Sequence, residues 1–173
     1  MSRDYPDWVS VDRAADGKRR FTGRMALANF ERLVDLLDHP EAGDCIEFEM
    51  QFWRDSDGTA RLDLRVWGRL PLTCQRSLKR YLQAIDSRAE LAVVADEDAI
   101  AALSPDLEPK IAADGRLTLA ELVEDELLLA LPLVPKDPAQ PPVVDVQVGG
   151  GQRPDKKAGG AFAALESLRR RSD

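Results

Sequence analysis

The segment CIEFEMQFWRDSDGTARLDLRVWGRL, residues 45–70, alternates apolar and polar side chains on both sides of a turn. The turn is DSDGTA, and the apolar side chains fall at every second position before and after it: Ile46, Phe48, Met50, Phe52, Leu62, Leu64 and Val66. A period of two places these side chains on one face of paired strands. The stretch therefore predicts a β-hairpin with one buried and one solvated face, on which opposite charges face each other across the strands.

The chain that follows the hairpin keeps the composition of strands. Residues 70–74, 80–85 and 89–95 are predicted as further strands, the last two joined by a turn at Asp86 and Ser87. Because successive antiparallel strands usually lie side by side, we predict an antiparallel β-meander of four or five strands. Residues 96–109 are acidic and only partly periodic, which indicates a loop with a short helical turn.

A first helix is predicted before the hairpin, in ANFERLVDLLDHP, residues 28–40. His39 and Pro40 end it. One helical face collects its apolar side chains, Phe30, Leu33, Val34 and Leu37.

A second helix is predicted in DGRLTLAELVEDELLLALPLVPK, residues 114–136. Thr118 and Glu121 have the spacing of a capping box, and Pro132 ends the helix. Its apolar stripe is predicted to pack on the sheet, and consists of Leu119, Leu122, Val123 and Leu127. The carboxylates predicted to point outward are Glu121, Glu124 and Asp125.

These elements predict an α+β domain over residues 21–137, an antiparallel β-meander covered by two helices. Residues 1–20 are an N-terminal arm or irregular opening. Residues 138–159 are rich in proline and glycine and are predicted to be a flexible linker. Residues 160–173 are predicted to be a short basic amphipathic helix, which either binds a partner or folds back on the domain. Its apolar stripe is Phe162, Leu165 and Leu168.

Composition restricts the class of function. The 173 residues carry a net charge of −7, so contact with nucleic acid requires local basic clusters or a partner. Two cysteines and no secretory signal predict a reducing, cytoplasmic location. No apolar run approaches the roughly 20 residues of a membrane helix, so we expect no membrane contact.

The sequence offers little material for catalysis. The one histidine, His39, stands beside a proline, and no glycine-rich loop joins a strand to a helix. Cys74 is followed three residues later by Ser77, a poor zinc ligand, so we predict neither metal nor cofactor. We therefore expect neither an enzyme nor a small-molecule substrate. A nuclease would need a carboxylate cluster, for which composition alone offers Asp96, Glu97, Asp98 and Asp106.

Three motifs in order carry a resemblance to a known family. LPLTCQR, then the helical block of residues 114–136, then AFAALESLRRR resemble the YceD family, the large ribosomal RNA subunit accumulation proteins of bacteria and plastids. The resemblance runs from about Ala60 to the C-terminus. It implies a non-catalytic ribosome-biogenesis factor that acts by binding.

The chain also departs from that family. Many relatives carry Cys-x-x-Cys where this chain has Cys74 and Ser77, a histidine at Asp137, and a further cysteine that is missing here. In those relatives the four side chains could form a zinc-like cluster. Either the cluster is dispensable, or packing and hydrogen bonds replace it in this chain.

The first functional hypothesis is an assembly factor that binds a pre-ribosomal component of the large subunit, either a basic ribosomal protein or another assembly factor. The predicted partner-binding residues are Glu124, Asp125, Glu126, Pro132, Pro135, Phe162, Leu165 and Leu168. Weak contact with ribosomal RNA is predicted for Lys156, Lys157, Arg169, Arg170 and Arg171.

The alternative hypothesis is a direct RNA-binding protein that protects precursor ribosomal RNA. Its basic residues would be Lys18, Arg19, Arg20 and Arg24 together with the tail, and the residues available for base stacking are Trp8, Trp53 and Trp67. Against stacking, the simpler interpretation of Trp53 and Trp67 is a cross-strand aromatic pair on the outer face of the hairpin.

Overall fold

Seven strands and three α-helices form the part of the chain that the computed structural model describes, residues 5–140. The strands are β1 (Trp8–Ser10), β2 (Arg20–Ala26), β3 (Cys45–Arg54), β4 (Ala60–Thr73), β5 (Arg80–Val94), β6 (Glu108–Ile111) and β7 (Arg116–Thr118). The helices are α1 (Val11–Asp16), α2 (Glu97–Ile100) and α3 (Leu119–Ala130). The predicted linker and C-terminal helix lie outside the described residues from residue 141 onward.

The main sheet has five strands in the order β2-β3-β4-β5-β6. Neighbours from β2 to β5 are antiparallel, whereas β6 runs parallel to β5. The α+β class is confirmed, but the purely antiparallel sheet is wrong at this edge. The chain leaves β5, passes through α2 and returns in the same direction, which a crossover of a dozen or so residues permits.

The hairpin that decides the fold is confirmed. Ile46 lies opposite Gly68 and Phe52 opposite Leu62, and the predicted apolar face is buried throughout. Gly68 has a φ of 154°, and a Cβ there would lie 2.5 Å from the Cδ1 atom of Ile46. The close approach of β3 and β4 at this point therefore requires glycine.

Strands β4 and β5 are longer than predicted, at 14 and 15 residues. The predicted turn at Asp86 and Ser87 is wrong, because both residues lie inside β5, paired with Trp67 and Val66. Partners on β4 and on α3 satisfy these turn-forming side chains. Asp86 accepts two hydrogen bonds from Arg65, each 2.8 Å, and Ser87 donates to the carboxylate of Glu126.

The predicted helix near Phe30 is also wrong. Residues 27–36 form two short 3₁₀ turns, Leu27–Asn29 and Val34–Leu36, joined by a further turn. Phe30 and Leu33 are nevertheless buried, as their spacing predicts. The pattern thus identified the buried side chains but not the backbone that presents them.

Residues 8–16, left as an arm or irregular opening by the sequence, form β1 and α1. β1 pairs with β7 as a separate two-stranded sheet, and α1 packs against β3 and β4. The buried side chains of this part are Val9, Val11, Ala14 and Ala15. Helix α1 therefore takes the covering position that was expected for the helix near Phe30.

Helix α3 begins after Thr118 and ends before Pro132, as predicted. Its stripe of Leu119, Leu122, Val123 and Leu127 is buried, and the helix packs against β4 and β5. The side chain of Thr118 makes no capping hydrogen bond, so the predicted capping box does not form. Helices α1 and α3 thus cover one face of the main sheet, which we call the inner face; the opposite one is the outer face.

Candidate partner-binding surface

Glu124, predicted to point outward from α3, is buried. Its carboxylate accepts hydrogen bonds from the backbone amides of Arg32 and Leu33, at 2.7 and 3.1 Å. It also accepts one from Nε of Arg32 at 3.0 Å. The carboxylate therefore holds the 3₁₀ region against α3 and is not available to a partner.

Asp125 lies beside it in a second ion-pair group. Nζ of Lys110 lies 2.6 Å from its carboxylate, and Nη2 of Arg32 lies 2.7 Å from it. Partial burial raises the pKa of Asp125, but hydrogen bonds from Lys110 and Arg32 outweigh that effect and hold the pKa below its ordinary value. The hydrogen bonds that Arg32 donates to Asp125 and Glu124 in turn raise the pKa of its guanidinium.

Glu126 is the third carboxylate of this block and is also buried, at 8% exposure. It accepts a hydrogen bond from the hydroxyl of Ser87 on β5. Of the three carboxylates predicted to point outward, Glu121 is exposed and Asp125 is partly exposed, whereas the prediction is wrong for Glu124. Donors from distant parts of the chain bind the carboxylates of Glu124, Asp125 and Glu126. Those donors lie 15 to 93 residues away along the chain, beyond the reach of any helical spacing.

What the end of α3 exposes is apolar. Leu129 is 74% exposed, Leu133 is fully exposed and Val134 is 52% exposed. We call these three side chains the apolar ridge. The sequence analysis missed them, although Leu129 falls off the buried stripe and Leu133 stands between two prolines.

A groove of about 390 Å³ lies between α3 and β6, and Leu129 of the apolar ridge forms part of its lining. Its charged lining residues are Arg32, Glu108, Lys110, Asp125 and Glu126. Its apolar lining residues are Pro109 and five leucines, Leu64, Leu91, Leu122, Leu128 and Leu129. A concave apolar strip with charged edges has the character of a binding surface for a peptide segment.

The backbone that follows the apolar ridge is fixed to the loop between β4 and β5. The amide of Gln75 donates to the carbonyl of Pro135 at 2.9 Å, and Nη2 of Arg76 donates to the carbonyl of Asp137 at 2.9 Å. The amide of Asp137 donates to Sγ of Cys74 at 3.3 Å. Pro132 and Pro135 are partly exposed beside the ridge.

Cys74 is fully buried at the centre of this attachment. The hydrogen bond from the amide of Asp137, together with the nearby Ser77, lowers the pKa of the thiol to about 6. Across residues 5–140 no group of three histidine, cysteine, aspartate or glutamate side chains could hold a metal ion. In this chain the surroundings of the Cys74 sulfur are thus held by hydrogen bonds.

The tryptophans lie apart from this surface. Trp53 faces Arg61 and Trp67 faces Glu47 across the strands, so the predicted Trp53–Trp67 pair is wrong. Trp8 stands on the small sheet, where the guanidinium carbon of Arg116 lies 4.2 Å from its ring centroid. Arg20 and Arg24 lie on β2 at the sheet edge, whereas Lys18 and Arg19 precede that edge in the turn after α1.

The acidic loop shows no catalytic arrangement. Asp96 accepts a hydrogen bond from the amide of Ala99 at 2.9 Å and so caps α2. Glu97, Asp98 and Asp106 are exposed, as is the side chain of His39. None of the helices in residues 5–140 combines the length and the apolarity needed to span a bilayer.

The fold and this surface define a small α+β protein whose distinguishing surface is an apolar ridge beside a groove. The chain belongs to the YceD family: the family described as large ribosomal RNA subunit accumulation protein YceD matches residues 62–169. The large ribosomal RNA subunit accumulation protein YceD of Haemophilus influenzae is 30% identical over 130 residues, covering 73% of this chain and 74% of that protein. No solved structure matches the chain.

Proposed function

We propose that the protein is a non-catalytic cytoplasmic factor that supports the accumulation of large-subunit ribosomal RNA by binding a protein component of the assembling subunit. Membership of the YceD family supports the cellular role. The exposed apolar ridge beside its groove is the observation that supports binding as the mode of action.

The partner that fits this surface is a basic protein segment with apolar side chains at regular spacing. The apolar side chains would cover Leu129, Leu133 and Val134, each worth about 1.5–3 kcal/mol if fully buried. Basic side chains would meet Glu108 at the groove edge and a chain whose net charge is −7. Ribosomal proteins have this combination of charge and apolar anchors.

The backbone of the surface is ordered before a partner arrives. Helix α3 is fixed by Glu124, and the segment after Pro132 is fixed by the hydrogen bonds around Cys74. A surface that is already ordered loses less conformational entropy on binding. The attachment at Cys74 therefore contributes to affinity without touching the partner.

The experiment compares two full-length variants in cells that lack the natural copy. Leu129→Ser with Leu133→Ser removes both leucines of the apolar ridge, and Leu36→Ser alters a leucine elsewhere that is 56% exposed. We expect the ridge variant to lose co-sedimentation with large-subunit precursors and to lower the level of large-subunit RNA, while Leu36→Ser does neither. Equal co-sedimentation of both variants, with matching melting temperatures, would contradict the proposal.

The absence of catalysis has its own test. We expect purified protein to leave ribosomal RNA intact with either magnesium or manganese. Degradation that persists through purification, and that disappears in Asp96→Asn with Asp106→Asn, would make the protein a nuclease.

A further inference from the structure

The outer face of the main sheet is rich in arginine. Side chains that alternate with the buried positions of β2 to β5 project there, seven arginines and five carboxylates against a chain of net charge −7. The arginines are Arg20, Arg24, Arg61, Arg65, Arg69, Arg80 and Arg88, and the carboxylates are Glu47, Glu49, Asp63, Asp86 and Glu90. Arg61 also pairs with Asp55, and Arg80 with Glu41 and Asp44, which lie beside the strands, so the face as a whole has no excess of positive charge. What it offers is a high density of guanidinium groups, the side chains best suited to bind phosphate.

Trp67 lies near the centre of this face. Its Nε1 donates a 2.5 Å hydrogen bond to Glu47, which fixes the plane of the indole ring. The guanidinium carbon of Arg65 lies 5.1 Å from the ring centroid. Arg65 and Arg69 flank Trp67 two residues away on the same strand, each about 7 Å along β4.

Arg69 differs from its neighbours in having no partner. Its side chain is exposed, and within residues 5–140 it makes neither a hydrogen bond nor an ion pair. Arg24, two strands away, is 68% exposed and has a 3.7 Å contact with Glu47. Nη2 of Arg24 also donates a 2.8 Å hydrogen bond to Sγ of Cys45. A phosphate that approaches Trp67 therefore meets one guanidinium that has no partner within residues 5–140 and one whose contact with a carboxylate is long.

The remaining ion pairs of this face do not prevent such binding. Arg65 is 52% exposed in its pair with Asp86, and solvent screens pairs of this kind. A phosphate oxygen can take the place of a carboxylate oxygen because both accept two hydrogen bonds from one guanidinium. The pairs thus hold the guanidinium groups in place and leave them exchangeable.

We propose that the outer face, centred on Trp67, binds single-stranded RNA. Arg24 and Arg69 contact phosphates, and a base stacks on the guanidinium–indole pair that Arg65 forms with Trp67. A single strand fits better than a duplex, because only unstacked bases can lie against an aromatic ring on a flat sheet. This surface lies on the side of the sheet opposite α3, so the inference does not depend on the apolar ridge.

The test is fluorescence anisotropy of a labelled single-stranded RNA of about 12 nucleotides, within the length that one such domain covers, titrated with full-length protein at several salt concentrations. We expect Trp67→Leu to weaken binding about tenfold, as is typical for loss of one stacked base. We expect Arg69→Gln to reduce the slope of log K against log salt by about 0.7. Arg13→Gln removes an exposed arginine on α1, on the inner side of the sheet, and should change neither quantity.

Every variant keeps residues 141–173, so the basic side chains of the tail are the same in all of them. Arg69 has no side-chain partner within residues 5–140, so its substitution removes no hydrogen bond or ion pair of that part of the chain; melting temperatures check that neither Arg69→Gln nor Trp67→Leu acts through unfolding. The proposal is overturned if wild-type protein shows no micromolar affinity at about 50 mM salt. It is also overturned if Trp67→Leu and Arg69→Gln both bind like Arg13→Gln, or if an acidic peptide competes as well as RNA. None of these three results bears on the apolar-ridge proposal.

Discussion

The inner and outer sides of the sheet hold their carboxylates in different ways. On the inner side, the backbone amides of Arg32 and Leu33 and the half-exposed guanidinium of Arg32 surround the buried carboxylate of Glu124. On the outer side, arginines exposed to solvent pair with carboxylates, as Arg88 does with Asp63. A carboxylate on the inner side therefore contributes to stability, because its contacts are strong where water is excluded. A carboxylate on the outer side can be replaced by another anion, because water screens its ion pair.

Cys74 resembles the buried carboxylates of the inner side, although its charge would be on a sulfur atom. It is a buried group whose charged form receives hydrogen bonds from backbone amides, as Glu124 does. Both connect segments that are distant in sequence, residues 32 and 124 in one case and residues 74 and 137 in the other. On the inner side, backbone amides thus take the place of water around a buried anion, whether the charge is on sulfur or on oxygen.

The largest expected effect is at Glu124. Glu124→Ala leaves the amides of Arg32 and Leu33 without an acceptor and should lower the free energy of unfolding by about 3 kcal/mol. Glu121→Ala, on an exposed position of the same helix, should change it by less than about 0.5 kcal/mol. Urea unfolding of both variants is the measurement. Equal losses would mean that burial does not separate the two kinds of carboxylate.

Ser87 should have the next largest effect. Ser87→Ala removes the hydroxyl that donates to buried Glu126, and we expect a loss of about 1.5–2 kcal/mol. Ser56→Ala, in the exposed hairpin turn, provides the matched control and should be close to neutral. A neutral result for Ser87→Ala in urea unfolding would show that another donor serves Glu126.

Cys74 predicts an effect on the pH dependence of stability. Its folded pKa of about 6 lies below that of an unfolded thiol, about 8.5. The stabilisation is therefore complete above about pH 8.5, declines as pH falls, and is lost below about pH 6. Urea midpoints measured from pH 5.5 to 9 should rise more steeply for wild type than for Cys74→Ala. Parallel pH profiles would show that the thiol stays protonated.

The smallest effect is expected at the exposed pair of Arg88 and Asp63. A double-mutant cycle with Arg88→Gln and Asp63→Asn should give a coupling of about 0.5 kcal/mol or less, which disappears near 1 M salt. The Arg65–Asp86 pair should behave in the same way. Coupling above about 1.5 kcal/mol that persists in salt would mean that these exposed pairs stabilise the fold as the buried contacts of Glu124 do.

Short-range patterns predicted the parts of the fold that depend on short-range physics. The alternation in residues 45–70 predicted the hairpin, and the spacing of Leu119, Leu122, Val123 and Leu127 predicted the buried stripe of α3. Both patterns reflect which side chains leave water, a property that neighbours along the chain determine.

The elements that sequence reasoning missed depend on distant partners. Residues 30–33 have helical apolar spacing, but the amides of Arg32 and Leu33 donate to Glu124 and not to carbonyls of a preceding turn. Pro71 lies within β4 because β3 pairs with β4 only as far as Gly68, which leaves the rest of that edge without β3. The burial of Glu124 and Glu126 was missed for the same reason, since the groups that donate hydrogen bonds to their carboxylates are remote in sequence.

The main sheet is a single layer with helices on one side, and this arrangement has a mechanical consequence. A ligand on the ridge at the end of α3 and a ligand on the opposite face would not compete for space, because one helix and one sheet separate them. Occupancy of one position would hold the second ligand nearby and raise its effective concentration. Such a domain would act as an adaptor between a protein and a strand of RNA, and this role would need no conformational change.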